Sequence, residues 1–171
     1  MFSDDDTMGH FARFASLFEF MLPYRTTLME QAYTLGYPLI RPLLFHYPTD
    51  KATWGLSSQF LFGEKLLVAP VLNSKIHYKR KFPIIGKVEY SYAEIDVYLP
   101  AGNWTRLWHE ADVYSSAGQT FKAVHVMFGE PAVFYVQGWD YGAELSQFVH
   151  QQLDSTFAAP IANSADWNNC V

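Results

Sequence analysis

A single cysteine, Cys170, serves 171 residues, so no disulfide can form within the chain and its stability has to come from an apolar core. Basic charge is also scarce: 12 Lys and Arg stand against 17 Asp and Glu, a formal net charge of -5. That balance leaves no electrostatic footprint for nucleic acid or an anionic membrane surface, and neither is expected as a partner. No run of about 18 apolar residues is present to span a bilayer. The opening Met1-Phe2-Ser3-Asp4-Asp5-Asp6 is acidic where a secretory signal would be basic and then apolar. With the lone cysteine, these absences point to a cytoplasmic location. Gly-x-Ser-x-Gly elbows, phosphate-cradling glycine loops and dinucleotide fingerprints are all missing. The six histidines, His10, His46, His77, His109, His125 and His150, have no spacing that would gather metal ligands on one face. No cofactor and no metal are expected.

What is present suits a folded protein of one or two domains, since 50% of the residues are hydrophobic and 18% aromatic. Ser3 and Asp6 make a capping-box-like helix start. Met8, Phe11, Phe14, Ala15, Phe18 and Leu22 then recur at helical spacing, predicting one apolar stripe. Pro23 interrupts the pattern and Tyr24, Leu28, Ala32 and Leu35 resume it, so the reading is one kinked helix or two abutting ones. Gly36 and Pro38 end it. The run Leu39–Phe45, bounded by prolines, predicts a strand buried on both faces, as in a parallel sheet or barrel. From residue 64 short apolar segments alternate with turns, the pattern of an antiparallel sandwich. They comprise 66–72, 90–99, 104–108, 120–127 and 131–136. The basic stretch 74–93 is expected to be an exposed hairpin or loop, and a short helix near 141–152 precedes a polar tail. The fold class is therefore α+β, divided into residues 1–63, a sandwich over 64–150 and a tail over 151–171.

Acid/base hydrolysis needs two carboxyl groups facing one another, and no such pair stands out. Asp4, Asp5 and Asp6 suit a helix N-terminus. Glu110, Asp112 and Glu130 lie in loop-like segments. Asp50 follows the apolar strand, where barrel enzymes place functional groups, but Thr49-Asp50 also makes an ordinary turn. His46, at the same strand's end, could reach a ligand or could be structural. Trp54, Trp104, Trp108, Trp139 and Tyr98 could stack on sugar rings, although core packing is the commoner use. Arg41, amid apolar residues, is expected to find a structural ion pair. Cys170 is a poor nucleophile candidate. No position is assigned as catalytic, cofactor-binding or metal-ligating.

The order of segments carries more than any single residue. Phe11-Ala12-Arg13-Phe14, Leu22-Pro23-Tyr24, Gly36 to Leu43, Gln59 to Gly63, Leu66 to Leu72, Val97 to Trp104 and Gly129 to Phe134 form a series that resembles the C-terminal part of family 31 glycoside hydrolases. Phe2 to Thr7 and Arg41 to Tyr47 are most similar to the sulfoquinovosidases within that family. The resemblance implies the last helix and strand of a (β/α)8 barrel followed by a β-sandwich. It further implies a retaining α-glycosidase acting on an α-glycoside, with both catalytic aspartates upstream of Phe2, so that the chain is a piece of a larger gene product. The chain departs from the family at Ser58, where an acidic residue is common, and in the length of 74–93. The other reading is a stand-alone, non-catalytic β-sandwich module that binds carbohydrate or protein.

Overall fold

The computed structural model describes residues 5–72, 76–81, 88–127 and 129–156. Helices α1 (Asp5–Phe20) and α2 (Leu22–Leu35) come first and α3 (Asp140–Thr156) last. Between them lie β1 (Ile40–Arg41), β2 (Phe60–Phe62), β3 (Leu66–Ala69), β4 (Ile76–Lys81), β5 (Val88–Leu99), β6 (Gly102–Arg106), β7 (His109–Ser116), β8 (Gln119–Met127) and β9 (Ala132–Val136). One six-stranded sheet has the order β1-β2-β3-β9-β6-β7 and a second the order β4-β5-β8. Every ladder between these strands is antiparallel.

The molecule is layered: the three-stranded sheet, the six-stranded sheet, then α1 and α3. Strands β3 and β9 show why. Leu67, Ala69, Ala132 and Phe134 enter the cluster shared with Ile95, Val97, Val124 and Val126 of the second sheet. The alternate residues Leu66, Val68, Val133 and Tyr135 enter a second cluster with Leu145 and Val149 of α3 and Phe14, Leu17 and Phe20 of α1. A strand covered on both faces can be apolar at every position, and the period-two pleat divides those side chains between the two cores.

Two expectations for the first forty-five residues need correction. The stripe predicted for α1 faces outward at Met8, Phe11, Phe18 and Leu22, each more than half exposed. Of that stripe Phe14 packs inward as expected, and the helix adds Arg13, Leu17 and Phe20 to it, also spaced by three and four. Continuous apolarity over 39–45 reflects no long parallel strand: β1 has two residues, pairs antiparallel with β2, and gives way to a 3-10 turn at Leu43–Phe45. Pro42, with extended backbone, ends β1 because it has no N–H to donate.

Other features follow the sequence closely. The helices abut at Met21, with Pro23 in the first turn of α2, where a missing N–H costs nothing. Gly36 closes α2 at φ 71° and donates its N–H to Ala32 O at 3.1 Å. Within the stretch 74–93, β4 pairs antiparallel with the start of β5, the connecting residues 82–87 lying outside the described ones, and α3 extends to Thr156. The expected boundary at residue 64 falls within the six-stranded sheet, at the turn between β2 and β3. Ser3, and the tail from 157 onward with Cys170, lie outside the described residues.

Candidate functional site

Arg41 is 1% exposed, and it organises the segment after α2. Its Nε donates to Pro38 O at 2.7 Å and one terminal nitrogen to Gln31 Oε1 at 2.7 Å. The other terminal nitrogen lies 3.0 Å from His46 Nε2, which accepts. Tyr37 and Phe45 lie against the guanidinium, their ring centres 5.4 and 5.8 Å from Cζ. The expected ion pair is replaced by neutral acceptors. His46 is thereby a partner of Arg41, and its pKa is pushed below 6.5 by burial first and by the Arg41 charge second.

Asp50 also has a structural occupation. It caps the 3-10 turn Lys51–Thr53, with Oδ1 accepting from Ala52 N at 3.1 Å, while Oδ2 accepts from the Tyr98 hydroxyl. Burial and then Asp50 push the Tyr98 hydroxyl up to about 12. One step further, Gln59 bridges the sheets. Its Nε2 donates to Tyr98 O at 2.5 Å and its Oε1 accepts from Tyr98 N at 2.9 Å. Tyr98 is thus held by both its side chain and its backbone, and the loop 47–59 is held to β5 with it.

A third cluster joins α1 to the far end of the sandwich. Arg13, 4% exposed, donates to Gly129 O at 2.6 Å and lies near the rings of Phe14 and Trp108. Gly129 is at φ 85°, and a Cβ there would stand 2.5 Å from the Arg13 guanidinium. The neighbouring Glu130, 5% exposed, lies 3.1 Å from His109 Nε2. Buried Trp108 Nε1 has no hydrogen-bond partner among the described residues.

Trp104 and Trp108 are core residues and Trp139 packs at the edge of the second cluster, whereas Trp54 is 61% exposed, its Nε1 donating to Pro48 O. Asp112 lies 3.7 Å from Arg106. Among the described residues no group of three His, Cys, Asp or Glu side chains is placed to hold a metal. No helix among the described residues is long and apolar enough to cross a membrane. Sequence reasoning placed Arg13, Gln59 and Gly129 only within the resembling segments and Glu130 in a loop-like one, and gave none of them a partner. A lone buried Gln has no spacing signature, and Arg13 reads as the polar side of a helix until its burial is seen.

The fold is thus of the mixed class, helices packed on antiparallel sheets, with its buried polar groups joining one element to another. The chain belongs to glycosyl hydrolase family 31: residues 36–140 match the family's C-terminal domain. It is 40% identical over 112 residues to an alpha-glucosidase of Hordeum vulgare, covering 66% of this chain and 10% of that protein. To a sulfoquinovosidase of Agrobacterium fabrum it is 32% identical over 133 residues, 77% of this chain and 17% of the relative. A family 31 sulfoquinovosidase from E. rectale, solved with the aza-sugar inhibitor IFGSQ, superposes with a TM-score of 0.61 at 27% identity, covering 87% of this chain and 19% of that one. The chain thus spans less than a fifth of each of these relatives.

Proposed function

We propose that this chain is the C-terminal part of a retaining α-glycosidase that hydrolyses O-glycosyl bonds, and that it supports catalysis without performing it. Residues up to the end of α2 belong, in this reading, to a (β/α)8 barrel, and the sandwich from Gly36 onward braces that barrel. Two aspartates on the rest of the barrel would supply the nucleophile and the acid. The observation that carries the reading is the outward apolar surface of α1 and α2, where Met8, Phe11, Phe18, Leu22, Met29, Tyr33 and Leu35 are each more than half exposed. A stand-alone module would leave that surface in water, whereas a barrel wall would cover it. Asp50, Glu130 and the other carboxylates described above sit in structural contacts, which agrees with a supporting role. The substrate we favour is an α-sulfoquinovoside, on the likeness to the sulfoquinovosidases, with an α-glucoside as the other candidate.

The test compares hydrolysis of an aryl α-sulfoquinovoside and an aryl α-glucoside by this chain and by a version extended upstream through a full barrel. Turnover is expected only from the extended protein. Turnover by the 171-residue chain alone would overturn the supporting role. An extended enzyme that cleaves neutral α-glucosides well and sulfoquinovosides not at all would remove the sulfonated substrate.

A further inference from the structure

The loop between β1 and β2 is anchored along its length, and one large side chain in it is left outside. Tyr47 and Leu56 pack against the cluster between the two sheets. Thr53, 2% exposed, donates its hydroxyl to Tyr47 O and Asp50 O. Asp50 and Gln59 tie the loop to Tyr98 near its two ends. Trp54 is turned outward. Its Nε1 donates to Pro48 O at 2.9 Å, so the one polar atom of the indole is satisfied inside the loop and the ring is held there. The residue is nevertheless 61% exposed, whereas Trp104 and Trp108 are 1% and 2% exposed.

The surroundings leave that ring open. Among the described residues no other ring stacks on it. A Cβ added at the adjoining Gly55 would meet nothing within 4 Å, and Ala52, Ser57 and Ser58 are small and exposed. Lys51 opens the 3-10 turn that Trp54 closes. Side chains three apart in such a turn lie one above the other, here with a rise of about 6 Å, so an ammonium stands beside the indole. Lys51 is exposed and has no ion pair among the described residues. A single exposed aliphatic residue needs no explanation. An indole fixed by its own N–H on an anchored loop is different, because the ordering that binding would otherwise cost is already in place.

We infer that Trp54 and Lys51 form a sugar-binding platform, with the apolar face of a hexopyranose against the indole and its oxygens accepting from the ammonium. A pyranose has an apolar C–H face and a polar edge, which matches an aromatic ring with a donor beside it. A wholly apolar partner would bury the ammonium unpaired. The ligand class rests on the proposed α-glycosidase reading. An α-linked glucose oligosaccharide and an α-sulfoquinovoside both present such a face, and the second adds a sulfonate for Lys51. The platform retains the saccharide by contact alone and takes no part in bond cleavage.

Titration of the full 171-residue chain with maltoheptaose and with methyl α-sulfoquinovoside, followed by calorimetry and saturation-transfer NMR, tests this. Dissociation constants of about 1–10 mM are expected, as suits a few weak contacts. Trp54→Ala should weaken binding by about tenfold or more. Trp54→Phe, which keeps a ring, should retain part of it, and Lys51→Gln should weaken the sulfonated sugar more than the neutral one. Tyr33→Ala removes an exposed ring from α2 (92% exposed) and should change neither. Circular dichroism checks that each variant is folded. Binding of one sugar alone supports the platform and identifies its ligand. A chain that binds neither sugar at about 20 mM overturns the proposal, as does binding that survives Trp54→Ala unchanged. N-bromosuccinimide should oxidise Trp54 as readily in the protein extended through a full barrel as in the chain; protection there would assign the ring to the barrel and overturn the platform. Because binding is read on the chain and hydrolysis on the extended protein, the platform and the glycosidase reading fail independently.

Discussion

Arg41 keeps its charge in the interior on neutral acceptors alone, which makes His46 the pH-sensitive member of the group. Protonating His46 would remove the lone pair that accepts from the guanidinium and set two cations 3.0 Å apart. The folded state holds this imidazole below 6.5, so the unfolded chain takes up the proton first as the pH falls. The stability tied to neutral His46 is full above 6.5 and is lost as the pH drops through the lower folded value. Urea midpoints measured at neutral pH and near pH 5 should fall less for His46→Gln, which keeps an acceptor but cannot titrate, than for the unaltered chain. Equal falls would mean that His46 is protonated without cost. Gln59 gives a second residue-scale expectation. Gln59→Leu abolishes both hydrogen bonds to Tyr98 and leaves a buried N–H and C=O unpaired, a loss of about 2–4 kcal/mol in equilibrium unfolding. Ser58→Asp, next to it and exposed, should change stability by less than about 0.5 kcal/mol, although family resemblance favours an acidic residue there. That Arg41 must find acceptors was legible from its apolar neighbours. Their identity was not, because Gln31 arrives from the middle of α2, ten residues away.

Among the elements, the joint between α2 and the β2–β3 turn is the tightest described. Gly63 is at φ 71°, and a Cβ there would collide with the Tyr24 hydroxyl and come within 2.8 Å of Leu28 Cδ2. Tyr24 donates to Phe62 O at 2.9 Å. Gly63→Ala therefore combines a disfavoured backbone with overpacking and should cost about 2–5 kcal/mol, whereas Tyr24→Phe, which loses only the hydrogen bond, should cost about 1 kcal/mol. Thermal unfolding of the two variants side by side would check the ordering. Ala123 offers the opposite sign. It sits at φ 52° across from the irregularity in β5 between Ile95 and Val97, its N–H donating to Asp96 Oδ1 at 3.2 Å. Glycine adopts that backbone without the Cβ clash, so Ala123→Gly should stabilise the chain by about 0.5–1 kcal/mol. The strands β3, β6, β8 and β9 and the stop at Gly36 were legible because period, turn residues and a positive-φ glycine each leave local marks. Partners were less legible. An apolar run such as 39–45 can be a strand between layers or a two-residue strand followed by a 3-10 turn, and only the position of Pro42 hinted at the second.

For the whole molecule, the decisive feature is that α1 and α2 present apolar surface on two sides. The side carrying Phe14, Leu17, Phe20 and Leu28 is used within the chain; the side carrying Met29, Tyr33 and Leu35 is not. Sequence periodicity showed that apolar faces exist, but it could not rank two faces on one helix, because the ranking depends on what covers the second one. If that surface is a barrel wall, Met29 and Tyr33, one helical turn apart and 62% and 92% exposed, should respond oppositely in two settings. In the 171-residue chain, Met29→Lys with Tyr33→Lys removes apolar area from water and should raise the soluble yield while lowering binding of a hydrophobic dye, with little change in unfolding midpoint. In the extended protein the same pair would bury two ammonium groups against apolar neighbours, which should cost several kcal/mol and abolish accumulation of active enzyme. Tolerance in both settings would mean that this face meets water in the complete protein. The barrel would then have to meet the sandwich elsewhere, and the proposed assignment of α2 to its wall would fall.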